Sequence, residues 1–133
     1  FHDFAHRYQI NKTNVFTMAA MEAAYCHGGG WLDELLGYLQ GNVAFIRQFL
    51  QANVDQVSFI EPEGTFLVWM DFRGLELDVK VLAKFLAQDA QMAVSPGYWF
   101  GREGAGFGRM TIGCPQATLE QALDGLQTAV SRM

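Results

Sequence analysis

Between Trp31 and Leu50 the apolar residues Trp31, Leu32, Leu35, Leu36, Leu39, Val43, Ile46, Phe49 and Leu50 recur at spacings of one, three and four, which predicts a long amphipathic α-helix. Gly41 weakens that helix without ending it. Before it, the run Asn14–Tyr25 is dense in good helix formers. It ends at His27-Gly28-Gly29-Gly30, residues suited to a positive-φ glycine turn that closes a first helix. The pattern then changes period. Val57–Ile60 and Thr65–Phe72 read as two strands, with Pro62-Glu63-Gly64 as the turn between them and a hairpin as the expected pairing. Asp78 can cap a further helix whose buried stripe is Val81, Leu82, Phe85 and Leu86, and Met92–Ser95 is expected to be extended.

From Gly108 to Cys114 the side chains alternate: Arg109, Thr111 and Gly113 on one face, Met110, Ile112 and Cys114 on the other. That is the two-residue period of a half-buried strand, and Pro115 stops it. Thr118 with Gln121 three residues on makes a capping-box start for a last helix whose Leu119, Ala122, Leu123, Leu126 and Val130 share a face. Two helices, two strands, a helix, two short strands and a final helix lack the repeated βαβ crossover of a doubly wound domain. The fold class expected is α+β, a small and mostly antiparallel sheet covered by helices.

Composition narrows the function. The chain has 133 residues, enough for one core and too few for two ordinary domains. Half of them are hydrophobic, with 11 Phe and 3 Trp, so apolar surface left over for missing sequence or another subunit is expected. The net charge of -5, with no cluster of Lys and Arg among aromatics, excludes the electrostatic footprint of a nucleic-acid binder. Cys26 and Cys114 form no C-x-x-C pair and read as buried or idle free thiols in a reducing compartment. No apolar run reaches the length of a membrane span, and the N-terminal FHDFAHRYQ lacks the apolar core of a signal peptide, so a cytosolic location is expected.

The stretch SPGYWFGREGAGFGRMTIGCP, Ser95–Pro115, carries the candidate chemistry. Gly101, Gly104, Gly106 and Gly108 match neither G-x-x-x-x-G-K-[ST] nor a strand-loop-helix G-x-G-x-x-G, so they read as a flexible approach to a strand rather than a phosphate cradle. Behind them stands Arg109. An arginine with its Cα fixed in a strand can hold a carboxylate by two parallel hydrogen bonds, Gly106 and Gly108 would admit a ligand or other backbone, and Thr111 adds a hydroxyl on the same face. A surface ion pair is the competing reading of the same residue.

Other constellations are weaker. His2 and His6 stand at helical spacing but lack a third metal ligand, His27 sits beside three glycines, and no metal site is expected. Glu61 and Glu63 flank Pro62 in a turn, where solvation explains them better than a facing carboxylate pair.

NVFTMAAMEAAY followed by GGGWLDELLGYLQGN, then PEGTFLVWMDFRG, then SPGYWFG running on to GFGRMTIGCP, together resemble the C-terminal part of fold-type I pyridoxal-phosphate enzymes. The superfamily is that of class I/II aminotransferases, and the nearest likeness is to the MalY/PatB group of cystathionine β-lyases. The resemblance implies a C–S β-lyase or aminotransferase of amino-acid metabolism, a homodimer with pyridoxal 5'-phosphate as cofactor, and Arg109 as the residue that receives the substrate α-carboxylate. It implies that residues 1–27, with a connecting helix, leave a large domain absent from this chain, and that 28–133 form the small C-terminal domain. It also implies that the Schiff-base lysine, the Asp on the pyridine nitrogen and the phosphate-holding groups belong to that large domain.

The three lysines here, Lys12, Lys80 and Lys84, match no such setting, and Lys80 and Lys84 at i, i+4 read as a solvated helix face. No catalytic residue is expected in this chain, which by itself should neither turn over substrate nor hold the cofactor. The alternative is a non-enzymatic α+β module that binds carboxylates or a protein partner, with Arg109 in a structural salt bridge.

Overall fold

The computed structural model describes residues 2–8 and 14–133. The chain divides into two units, residues 1–37 and 38–133. In the first, α1 (His2–Arg7) and α2 (Val15–His27) precede the opening turns of α3 (Gly29–Asn53). Asn14 caps α2, its side-chain oxygen accepting the Thr17 N–H at 2.9 Å. The helix buries none of its residues, and Phe16 and Tyr25 are more than four-fifths exposed.

The turn after α2 differs from the expected one. Gly28 is right-handed, with φ -82° and ψ -1°, and Gly29 and Gly30 already belong to α3. Space decides the residue at position 28, because a Cβ there would run into the Ala24 carbonyl oxygen.

The second unit is built on a four-stranded sheet in the order β1-β2-β4-β3, every neighbouring pair antiparallel. The strands are β1 (Ser58–Ile60), β2 (Leu67–Asp71), β3 (Ser95–Pro96) and β4 (Phe107–Thr111). The expected hairpin is present, β1 and β2 pairing Ser58 with Asp71 and Ile60 with Trp69. The α+β class is therefore the observed one.

Strand parity sends Val68, Met70, Gly108 and Met110 to the buried face. There they join Ile46 and Leu50 of α3 and Leu119, Leu123 and Leu126 of α5 (Gln116–Val130), all nearly inaccessible. Each buried Val, Ile, Leu or Met side chain among them contributes about 1.5–3 kcal/mol relative to an exposed one.

Three expectations on this unit are corrected. Val81 is half exposed, while Leu82, Phe85 and Leu86 are buried. Leu82, Phe85 and Leu86 keep the i, i+3, i+4 spacing of one helix face, with Val81 at its edge, and α4 (Val79–Lys84) then widens into a π-helical turn over Phe85–Asp89. The Asp78 cap itself forms, accepting the Lys80 N–H at 3.0 Å.

The capping box at Thr118 does not form; α5 begins earlier, at Gln116, with no side-chain bond from its cap residue Pro115. The Tyr38 hydroxyl accepts the Gln116 N–H instead, at 2.8 Å. Nearby, buried Asn42 donates to the carbonyls of Ile112 at 2.9 Å and Cys114 at 3.2 Å, tying the exit of β4 to α3.

The glycine-rich stretch is two packed 3-10 turns, Gly97–Phe100 and Arg102–Gly104, rather than an open loop. Gly97 and Gly104 meet backbone to backbone, and a Cβ on either would strike the other's carbonyl oxygen.

Candidate functional site

Arg109 sits in the interior of the sheet, because β4 is flanked by β2 on one side and β3 on the other. One row crosses all four strands: Ile60, Trp69, Arg109, Ser95. Ladder bonds on both sides fix the Arg109 Cα, and parity places its side chain on the face opposite the core, together with Trp69, Asp71, Phe107 and Thr111. That face is partly open. Arg109, Trp69 and Phe107 are half-buried and Thr111 is exposed.

The open face is lined with aromatic rings. The Arg109 guanidinium carbon lies 4.6 Å from the Phe100 ring centroid. Phe100 stands edge-on to Trp69 at 5.5 Å and 76°, and Trp69 stacks on Phe107 at 5.7 Å and 17°. At the far end Arg73 lies over Phe107, again at 4.6 Å.

The two arginines differ in their acid partners. Arg73 donates through Nε to Asp71 Oδ1 at 2.9 Å and through its terminal nitrogen to Oδ2 at 2.7 Å, and its backbone N–H also reaches Oδ1. The Arg73 side-chain hydrogen bonds hold the Asp71 carboxyl below its usual range, with burial opposing and the backbone bond and charge assisting. The same bonds and the Asp71 charge raise Arg73. No carboxylate among the described residues pairs with Arg109, so the structural salt bridge considered for it is absent there.

The remaining candidates are dispersed. Gly106 and Gly108 admit this chain's own side chains rather than a ligand: Arg73 Cγ would be 2.6 Å from a Cβ at Gly106, and Phe72 Cε2 3.0 Å from one at Gly108. Glu61 pairs with Arg47 of α3, and Glu63 is exposed in the β1–β2 connection. His27 ends α2 and is exposed, and the side chains of His2 and His6 lie outside the described residues. Cys26 and Cys114 are free thiols, Cys26 exposed rather than buried.

Lys80 and Lys84 are exposed on α4, and Lys12 lies outside the described residues. Among the described residues no helix is long and apolar enough to cross a membrane. A separate cavity of about 220 Å³ between α4 and the glycine-rich turns is lined by Leu82, Leu86, Met92, Tyr98 and Phe107. No cation borders it, so a carboxylate would find no charged donor there.

Sequence reading missed Phe100, Trp69 and Phe107. The signal was present in part: Trp69 alternates with the buried Val68 and Met70, and Tyr98-Trp99-Phe100 is an aromatic run held between two glycines.

This chain belongs to the aminotransferase class I and II family, whose sequence model matches residues 11–126. Within it, the chain is 36% identical over 121 residues to Protein MalY of Escherichia coli (strain K12), covering 91% of this chain and 31% of that protein. It is 35% identical over 122 residues to cystathionine beta-lyase PatB of Bacillus subtilis (strain 168), covering 92% and 32%. Among solved structures it is similar to a PLP-bound putative aminotransferase from Clostridium difficile 630, with a TM-score of 0.88 and 35% identity over 97% of this chain and 33% of the other. The resemblance to the MalY/PatB group therefore stands, and the chain spans about a third of the length of the relatives it matches.

The cofactor of that solved neighbour provides a test of fit. A Schiff-base site needs a lysine amine near the substrate. The described residues bring none to the Arg109 face, which carries two arginines, Asp71 and a row of rings. Without that amine they do not fit the cofactor.

Proposed function

We propose that this chain is the C-terminal small domain of a pyridoxal-phosphate-dependent C–S β-lyase or aminotransferase, and that Arg109 receives the α-carboxylate of the amino-acid substrate. In this reading residues 1–27 lead out of a large domain that supplies the lysine and the cofactor, and 28–133 close over them. The parent is a cytosolic homodimer, and this chain alone is inactive. The observation that carries the reading is an interior-strand arginine on the open sheet face with no acid partner among the described residues.

The chemistry the cofactor supplies when bound is electron withdrawal from the substrate Cα. The contribution of this chain is orientation. Two parallel N–H···O bonds from a planar guanidinium fix the plane of the carboxylate, and with it the directions in which the other Cα bonds project. Lyase and aminotransferase share that requirement. The relatives' names support both outcomes, one being a cystathionine beta-lyase and a solved neighbour bearing the name putative aminotransferase. The exposed apolar side chains of α2 and early α3, among them Phe16, Tyr25 and Trp31, support a segment covered by further polypeptide.

The test replaces Arg109 by Ala in the full-length protein that carries this chain. Loss of about 2–5 kcal/mol in kcat/KM for an amino-acid substrate is expected, as for truncating one partner of a hydrogen-bonded charge pair. Near-normal kinetics would remove the assigned role. Reading the coding sequence ahead of residue 1 is the independent check, since a lysine-bearing large domain is expected there.

A further inference from the structure

We propose that Phe100 is a positioning residue for Arg109: its ring holds one flat side of the guanidinium, so that the donor-bearing rim stays open to the incoming carboxylate. The inference deepens the reading of Arg109 given above and rests on it. A guanidinium carries its five N–H groups around the rim of a plane and none on its faces. An aromatic ring attracts the cation through the face, whereas a carboxylate takes two hydrogen bonds in the plane. The two partners therefore occupy different sides of the same group and do not compete.

The molecule contains its own demonstration. Arg73 lies over Phe107 at 4.6 Å and at the same time spends its rim on Asp71, at 2.9 and 2.7 Å. Arg109 lies over Phe100 at the same 4.6 Å, on the same sheet face, and no acid among the described residues occupies its rim. Arg73 is thus the filled form of an arrangement that Arg109 repeats in open form. A bound α-carboxylate would stand to Arg109 as Asp71 stands to Arg73.

Phe100 is well placed to hold a long side chain still. It ends the turn Gly97–Phe100, whose base is pinned where Gly97 and Gly104 touch, and Gly101 at φ +128° turns the chain away immediately after it. Its ring is braced by Trp69, which is itself stacked on Phe107. A leucine would fill similar space but lacks the quadrupole that attracts a cation.

The experiment uses the full-length protein with its cofactor and four forms: wild type, Phe100→Leu, Phe100→Tyr and Arg109→Ala. The probe is 3-(methylthio)propanoate, an acid without an amine, titrated by calorimetry. Steady-state kinetics on L-cystathionine and thermal midpoints accompany it. For Phe100→Leu the Kd of the acid and the KM are expected to rise about three- to thirtyfold. Its kcat and thermal midpoint should stay close to wild type, and Phe100→Tyr should restore Kd and KM.

If Arg109→Ala weakens the acid while Phe100→Leu does not, the positioning role is overturned and the Arg109 reading stands. A Phe100→Leu protein with a lowered thermal midpoint, or a Phe100→Tyr protein as weak as the Leu form, would reduce the ring to packing and also overturn the role. An Arg109→Ala protein that binds the acid normally overturns both.

Discussion

The two faces of the central sheet are made by the same strands, one residue out of step, yet they do different work. On one, Val68, Met70 and Met110 are buried without a polar partner among them. On the other, Trp69, Asp71, Phe107 and Arg109 form a half-open row of rings ended by cations. The comparison teaches that a strand can separate stability from chemistry by parity alone. Substitutions on the inner face should be felt in folding, and those on the outer face in binding.

Met70→Ala presses hardest on the inner face. Its side chain is fully inaccessible, so truncation should cost about 2–5 kcal/mol in denaturant unfolding, as for other core methionines and leucines. A loss under about 1 kcal/mol would mean the inner face is not the core.

Asn42→Ala comes next. It strips the carbonyls of Ile112 and Cys114 of their side-chain donor, with an expected cost of about 1–3 kcal/mol by the same measurement. An unchanged midpoint would show that the exit of β4 is held by something else.

On the outer face the expected stability effects shrink. The Asp71 carboxyl is held below its ordinary value chiefly by the side-chain hydrogen bonds of Arg73. Because the folded value is depressed, the stability it contributes is present above the unfolded value of about 3.9 and is lost as pH falls through the folded one. Asp71→Asn should flatten that part of the acid-unfolding profile and leave neutral pH little changed, because Arg73 is largely exposed and the pair is screened. An identical acid profile in the variant would remove the pair from the stability account.

Arg109→Ala sharpens the comparison most at the smallest folding effect. Its unfolding free energy should stay within about 0.5 kcal/mol of wild type, although the same change is expected to be among the most damaging in kinetics. A large folding loss would make Arg109 a structural residue and erase the distinction between the faces.

How legible this was depended on distance along the chain. The Asp78 cap and the alternation of Arg109 with Met110 use neighbours a few residues apart, and both appear as read. The Thr118 capping box failed for a non-local reason, since the first amide of α5 is taken by Tyr38, which no spacing around Thr118 announces. Val81 failed for another: it stands at the edge of the face that Leu82, Phe85 and Leu86 share, where spacing does not set the depth of burial. The glycines of 97–108 signal close approach, but composition does not say whether the approaching group is a ligand, a backbone or, as found at Gly106, the stem of Arg73.

By itself the sequence determined the period of each element, the face on which Arg109 would lie and the family to which the chain belongs, because side-chain parity and local caps follow from neighbouring residues. Tertiary structure alone decided which ring would lie under that arginine and which arginine would already have its acid. Strand register and the packing of the glycine turns bring together Trp69, Phe100 and Arg109, residues whose separation along the chain carries no trace of their contact.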